Sequence, residues 1–153
     1  MVHHAWTVLC WRSAIDRDSN NMSIHDVLEQ LIIGAEPAPG LVVPIEYQVV
    51  SLWAREHKET GTQGISRITL IPPTGTERVL SELAINLSEV ERMRHRLLCH
   101  GLEVPQAGRY YFQVEVQDEG EVEWRQVALV PLTVLFLPQT DADIRDGDQV
   151  SSE

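Results

Sequence analysis

The sequence has 153 residues, 43% of them hydrophobic, which suits one domain with one core. Its formal charge is −11, with 23 acidic residues against 12 basic ones, and this argues against a nucleic-acid partner, whose phosphates call for clustered Lys and Arg. Met1 to Trp11 has no basic start, long apolar run or small-residue cleavage site, and the longest apolar stretch, Val127 to Leu137, is short and broken by Pro131 and Thr133, so neither a secretory signal nor a membrane span is expected.

A first strand is predicted from about Trp6 to Ile15, with Trp6, Val8 and Cys10 on one apolar face that makes Trp6 a core candidate, and Trp11 on the opposite phase. The turn-rich run Asp16 to Asn21 ends it. Within that turn Asp16, Asp18 and Asn20 alternate like the oxygen ligands in the first half of a calcium loop, and Asp118, Glu119 and Glu121 are the donors that another loop at the same end would add. The match stops there, because Asn21 replaces the glycine of such a loop and Val27 replaces its bidentate glutamate.

Met22 to Gly34 admits two readings. Ile24, Val27, Leu28, Leu31 and Ile32 recur at helical spacing behind Ser23 and Asp26, which resemble an N-terminal cap; a strand would place Ile24, Leu28 and Ile32 on one face. From about Ile45 to Arg55 a long strand alternates Ile45, Tyr47, Val49 and then Trp53 against Glu46 and Gln48. Gly61 and Gly64 close a hairpin into Ile65 to Ile71, and Pro72-Pro73-Thr74-Gly75 stops it. Arg78 to Leu87 follows, with Val79, Leu83, Ile85 and Leu87 as core candidates.

Glu91-Arg92-Met93-Arg94-His95-Arg96 is the one locally basic run, and without interleaved aromatics it reads as a solvated turn or helix face. His95 to Leu102, Arg109 to Gln117 and Glu123 to Phe136 complete the strands. Seven or eight strands at this spacing predict an all-β, antiparallel two-layer β-sandwich with little helix. The domain spans residues 1–137. Residues 138–153, with five acidic residues, one basic residue and almost no apolar ones, are expected to form a disordered acidic tail.

The run Pro105 to Val114 resembles an immunoglobulin-type strand, in which Gly108 permits the turn and Tyr110 forms a tyrosine corner by donating its hydroxyl to a nearby backbone carbonyl. Phe112 stands where antibody domains place a disulfide cysteine, so the likeness is not to an antibody domain. More broadly, Val8-Leu9-Cys10 followed by Asp16, then Ser23 to Leu28, then the Gly108 strand, is similar to a domain-of-unknown-function family of short bacterial β-sandwich proteins. The resemblance covers roughly Trp6 to Leu137. It implies a strand over Met22 to Gly34 and supplies no activity.

Motifs for catalysis are missing from the sequence. No nucleophile elbow, phosphate-cradling glycine loop or dinucleotide fingerprint occurs. Cys99 and His100 are adjacent, and neighbours on a strand point to opposite faces. Glu46, Glu115 and Glu123 are carboxylates that only a fold could bring together. The six histidines show no zinc spacing, and no cofactor is expected. Cys10 and Cys99 are too few for a disulfide framework and read as small hydrophobes of a cytoplasmic protein.

The expected role is therefore non-enzymatic: contacts with a protein partner or with itself as a homo-dimer, with neither nucleic acid nor membrane as partner. The long terminal strand Val127 to Phe136 is the expected edge template, and Trp11, Trp124, Val127 and Leu129 are the interface candidates. The alternative is a loop site for calcium, at Asp16, Asp18 and Asn20, or for a carbohydrate stacked on Trp11 and Trp124.

Overall fold

The computed structural model describes residues 1–137; the predicted acidic tail, 138–153, lies outside the described residues. Among the described residues the chain is all β, with nine strands and no helix: β1 (Val2–Ile15), β2 (Met22–Val27), β3 (Gln30–Ile33), β4 (Val42–Arg55), β5 (Gln63–Ile71), β6 (Arg78–Asn86), β7 (Arg92–Glu103), β8 (Gly108–Asp118) and β9 (Arg125–Phe136). They form a four-stranded sheet in the order β2-β1-β4-β7 and a five-stranded sheet in the order β3-β9-β8-β5-β6, the latter curled into a half-barrel.

The two sheets share one core because their strands alternate apolar and polar residues with a period of two. On β4 the buried phase is Tyr47, Val49 and Trp53, and on β8 it is Tyr110, Phe112, Val114 and Val116. Tyr47 and Phe112 meet between the sheets, their ring centroids 6.0 Å apart and their planes inclined by 72°, the edge-to-face arrangement that aromatic quadrupoles favour.

Four expectations change. Met22 to Gly34 is extended, but it is two strands in different sheets, which brings the count to nine. Asp26 adopts a left-handed φ of 56°, Leu28 N–H donates to the Leu9 carbonyl, and Thr133 N–H donates to the Glu29 carbonyl, so the chain crosses from one sheet to the other over Asp26 to Gln30. This crossing resets the alternation. Leu28, Leu31 and Ile33 are buried while Ile32 is exposed.

The crossing also settles the fate of the last strand. β3 pairs with Thr133 to Phe136 of β9 in parallel, so the second half of the expected edge is covered and the sheets are not purely antiparallel.

On β1 the core phase is Leu9, with Trp11 packed beside it, rather than Trp6, Val8 and Cys10. A register shift between His4 and Trp6 places Trp6 opposite Leu52 and Val8 opposite Val50, on the other face of the four-stranded sheet. On β6 a second shift, between Ile68 and Thr69 of its partner, turns Val79 outward and packs Leu80 against the core. Single inserted residues of this kind reverse every side chain that follows.

Candidate functional site

The outward face of β7 carries Arg92, Arg94 and Arg96 at alternate positions, a spacing that aligns three guanidiniums on one side of a strand. Register continues the rows inward: Arg94 lies opposite Leu52 and Leu52 opposite Trp6, while Arg96 lies opposite Val50 and Val50 opposite Val8. The basic row therefore borders an apolar and aromatic floor supplied by β4 and β1.

The hairpin of β1 and β2 forms the facing wall. Arg94 donates to the Asn20 carbonyl and, at 3.5 Å, to Asn20 Oδ1; Arg96 donates through Nε and Nη2 to Ser13 Oγ and the Ser13 carbonyl, both at 3.0 Å. Ser13 Oγ in turn donates to Gln48 Oε1 on β4. These bonds draw the hairpin across the sheet, and Cys10 and Val50, which stand outside the main core cluster, are fully buried there. Burial raises the Cys10 thiol above its ordinary range, so this cysteine stays protonated and unreactive.

What remains open is a groove of about 770 Å³ between the hairpin and β7, with Trp6 and Leu52 on its floor, Ile15 and Met22 on the hairpin side and Arg92 exposed at its rim. None of the ion pairs among the described residues includes Arg92, Arg94 or Arg96; Glu91 beside them pairs with Lys58. In a chain of net charge −11, these unneutralised guanidiniums beside an indole can hold carboxylate or phosphate oxygens.

Asp16 closes the turn of that hairpin. Its Oδ1 accepts the N–H of Ser19 at 2.7 Å and of Asp18 at 3.0 Å, and the Ser19 bonds hold its carboxyl below the usual carboxylate range. Asn20 sits at a left-handed φ of 58° with its carbonyl engaged by Arg94, which brings positive charge to the proposed calcium loop. The carboxylates expected to complete that site lie elsewhere. Asp118 accepts the N–H of Val2 and the Arg125 guanidinium, at the opposite end of the 14-residue β1. Among the described residues no three His, Cys, Asp or Glu side chains gather to hold a metal ion.

The other sequence candidates are dispersed. Trp11 and Val127 pack against the core, and Leu129 is exposed on the outer face of the five-stranded sheet. Trp124 lies under Arg67, whose guanidinium carbon is 4.0 Å from the ring centroid, and Arg67 also pairs with Glu115 at 2.8 Å. Glu46 pairs with His100 at 3.1 Å on the outer face of the four-stranded sheet, so Glu46 and Glu115 occupy different sheets and do not converge. Cys99 packs against the core while exposed His100 points the other way. Near the Gly108 turn, Tyr110 is buried and donates its hydroxyl to the Gln106 carbonyl at 2.7 Å.

Sequence reasoning missed the groove although half its signal was visible: arginine at three alternate positions is a same-face row as soon as the segment is a strand. The aromatic that the basic run lacks locally comes from Trp6, more than eighty residues upstream.

Neither protein-family models nor characterised proteins give a match to this chain. Among solved structures, the fold is similar to part of a beta-glucosidase from Listeria innocua, at 9% identity over 87% of this chain with a TM-score of 0.43, and to the same enzyme in complex with glucose at 10% identity over 86% with a TM-score of 0.41. The chain spans 16% of the length of those enzymes.

Proposed function

We propose that this chain is a non-enzymatic protein-interaction domain, an immunoglobulin-like two-layer sandwich related to the bacterial family it resembles, that takes an acidic, extended segment of a partner in the groove over Trp6 and Leu52. The observation that carries this reading is the row Arg92, Arg94 and Arg96, which lacks carboxylate partners among the described residues and borders an aromatic floor. Arginine and aromatic side chains together are what concentrated binding surfaces use. A protein ligand is favoured over nucleic acid because the rest of the molecule is acidic and would repel a long polyanion, whereas a short acidic segment meets only the basic strip. Free Cys10 and Cys99 support a reducing, cytoplasmic setting.

The test is a titration of the full chain with a synthetic peptide carrying aspartate at alternate positions, followed by calorimetry and by Trp6 fluorescence against a Trp6→Phe control. Binding is expected at low salt, weakening as salt rises, and weaker by at least tenfold in Arg92→Glu. No heat with the peptide, or binding indifferent to Arg92→Glu, overturns the proposal. A single-stranded oligonucleotide that binds more tightly than the peptide overturns it as well and reassigns the groove to nucleic acid.

A further inference from the structure

Resting on that reading of the groove, we infer that its occupant is the acidic segment 138–153 of a second copy of this chain, so that the domain associates with itself, segment into groove. The segment contains Asp141-Ala142-Asp143-Ile144 and, shortly after, Asp146-Gly147-Asp148. Extended chain places alternate residues on one side at intervals of about 6.6 Å, the same repeat that separates Arg92, Arg94 and Arg96 along β7. Laid into the groove, such a segment turns Asp141 and Asp143 to the arginine wall and Ala142 and Ile144 to the floor of Trp6 and Leu52. Acid on one side and apolar on the other is the pattern the groove requires.

Reach decides between the same copy and another for the pair that fits, Asp141 and Asp143; Asp146 and Asp148 extend farther but alternate with Gly147 and Gln149, which offer the floor no apolar side chain. Gly108 pairs with Val134, and Val104 N–H donates to the Leu41 carbonyl, so the end of β9 and the start of β4 lie at one end of the fold. The arginine row pairs with Ala54, Leu52 and Val50, toward the other end of β4. From the level of Val43 to that of Leu52 is about 30 Å along the strand. Asp141 and Asp143 follow Leu137 by so few residues that the chain spans at most about 20 Å to them, short of the arginines even before rounding the sheet. A neighbouring copy has no such restriction. The contact joins the groove of one copy to the segment of another, so it closes as a two-fold dimer when two copies exchange segments and otherwise continues into rings or open chains.

The experiment is light scattering of the full chain over a concentration series, at about 20 mM and about 500 mM salt, with circular dichroism to confirm that each variant is folded. The parent is expected to gain mass with concentration at low salt and to return to the monomer mass at high salt. Arg92→Glu and the double variant Asp141→Lys, Asp143→Lys should each weaken association at least tenfold. Mixed together they should associate again, in equal proportion, since each restores the charge complement that the other lacks. A parent that stays monomeric at low salt up to about 100 µM, a lysine variant that assembles like the parent, or a mixture that forms no complex overturns the inference. Should the synthetic acidic peptide still bind through Arg92 in those cases, the groove keeps its proposed function and only the assignment of its occupant fails.

Discussion

His95 of β7 joins the two sheets at the side of the core: its Nε2–H donates to the Ala84 carbonyl on β6 at 3.1 Å, and its Nδ1 lies 3.0 Å from Ser66 Oγ on β5. The carbonyl can only accept, which assigns the proton to Nε2 in the neutral ring.

This arrangement predicts a stability that falls in mild acid. Burial lowers the affinity of His95 for a proton, with the Ala84 bond opposing it, and burial followed by His3 and Arg125 does the same at His4. Both rings stand edge-on to buried Trp53, at centroid distances of 5.1 Å and 6.1 Å. The unfolded chain takes up these protons near the ordinary value of 6.5, whereas the folded chain resists them. Stability is therefore complete above about pH 6.5 and is lost as pH falls through the lowered folded values. Urea melts followed by tryptophan emission from about pH 8 to about pH 5 should show this decline, and His95→Gln should flatten it. An unchanged slope in that variant removes His95 as its source.

The inter-sheet pair of Tyr47 and Phe112 should be the most sensitive point of the core. Phe112 is fully buried and meets Tyr47 across the sheets, so Phe112→Ala should cost about 3–5 kcal/mol by equilibrium denaturation. Leu129→Ala, at an exposed site on the same fold, should stay within about 0.5 kcal/mol.

At the start of β8 a hydroxyl and a glycine can be separated. Tyr110→Phe removes the bond to the Gln106 carbonyl and should cost about 1 kcal/mol. Gly108→Ala should cost more, because Gly108 has a φ of +135° and an added Cβ would stand 2.8 Å from Pro73 Cγ. Chemical denaturation of the two variants checks the ranking.

Where the chain changes sheets, glycine should improve on the native residue. Asp26 holds a φ of 56°, and its ion pair with Arg12 at 3.5 Å joins two exposed side chains, so little is lost with it. Asp26→Gly should raise stability by up to about 1 kcal/mol, and Asp26→Val should lower it, since a β-branched residue tolerates that conformation least. Matching melting temperatures for all three would show that the crossing carries no strain.

Strand content, the scarcity of helix among the described residues and the long partners β4, β8 and β9 were legible in the sequence, because period-two alternation and turn residues are local properties. Sequence by itself also determined the arginine spacing, the acidic balance and the pattern Asp141-Ala142-Asp143-Ile144. Tertiary structure alone decided which face of β1 enters the core, since one register shift near His4 inverts Trp6, Val8 and Cys10 without any mark in composition. It alone decided that Leu28 and Leu31 belong to a crossing between sheets, because pairing partners such as Leu9 and Val134 are distant in sequence. The groove belongs to both levels: β7 carries its charge in order along the chain, but its floor and far wall come from strands that only folding brings alongside.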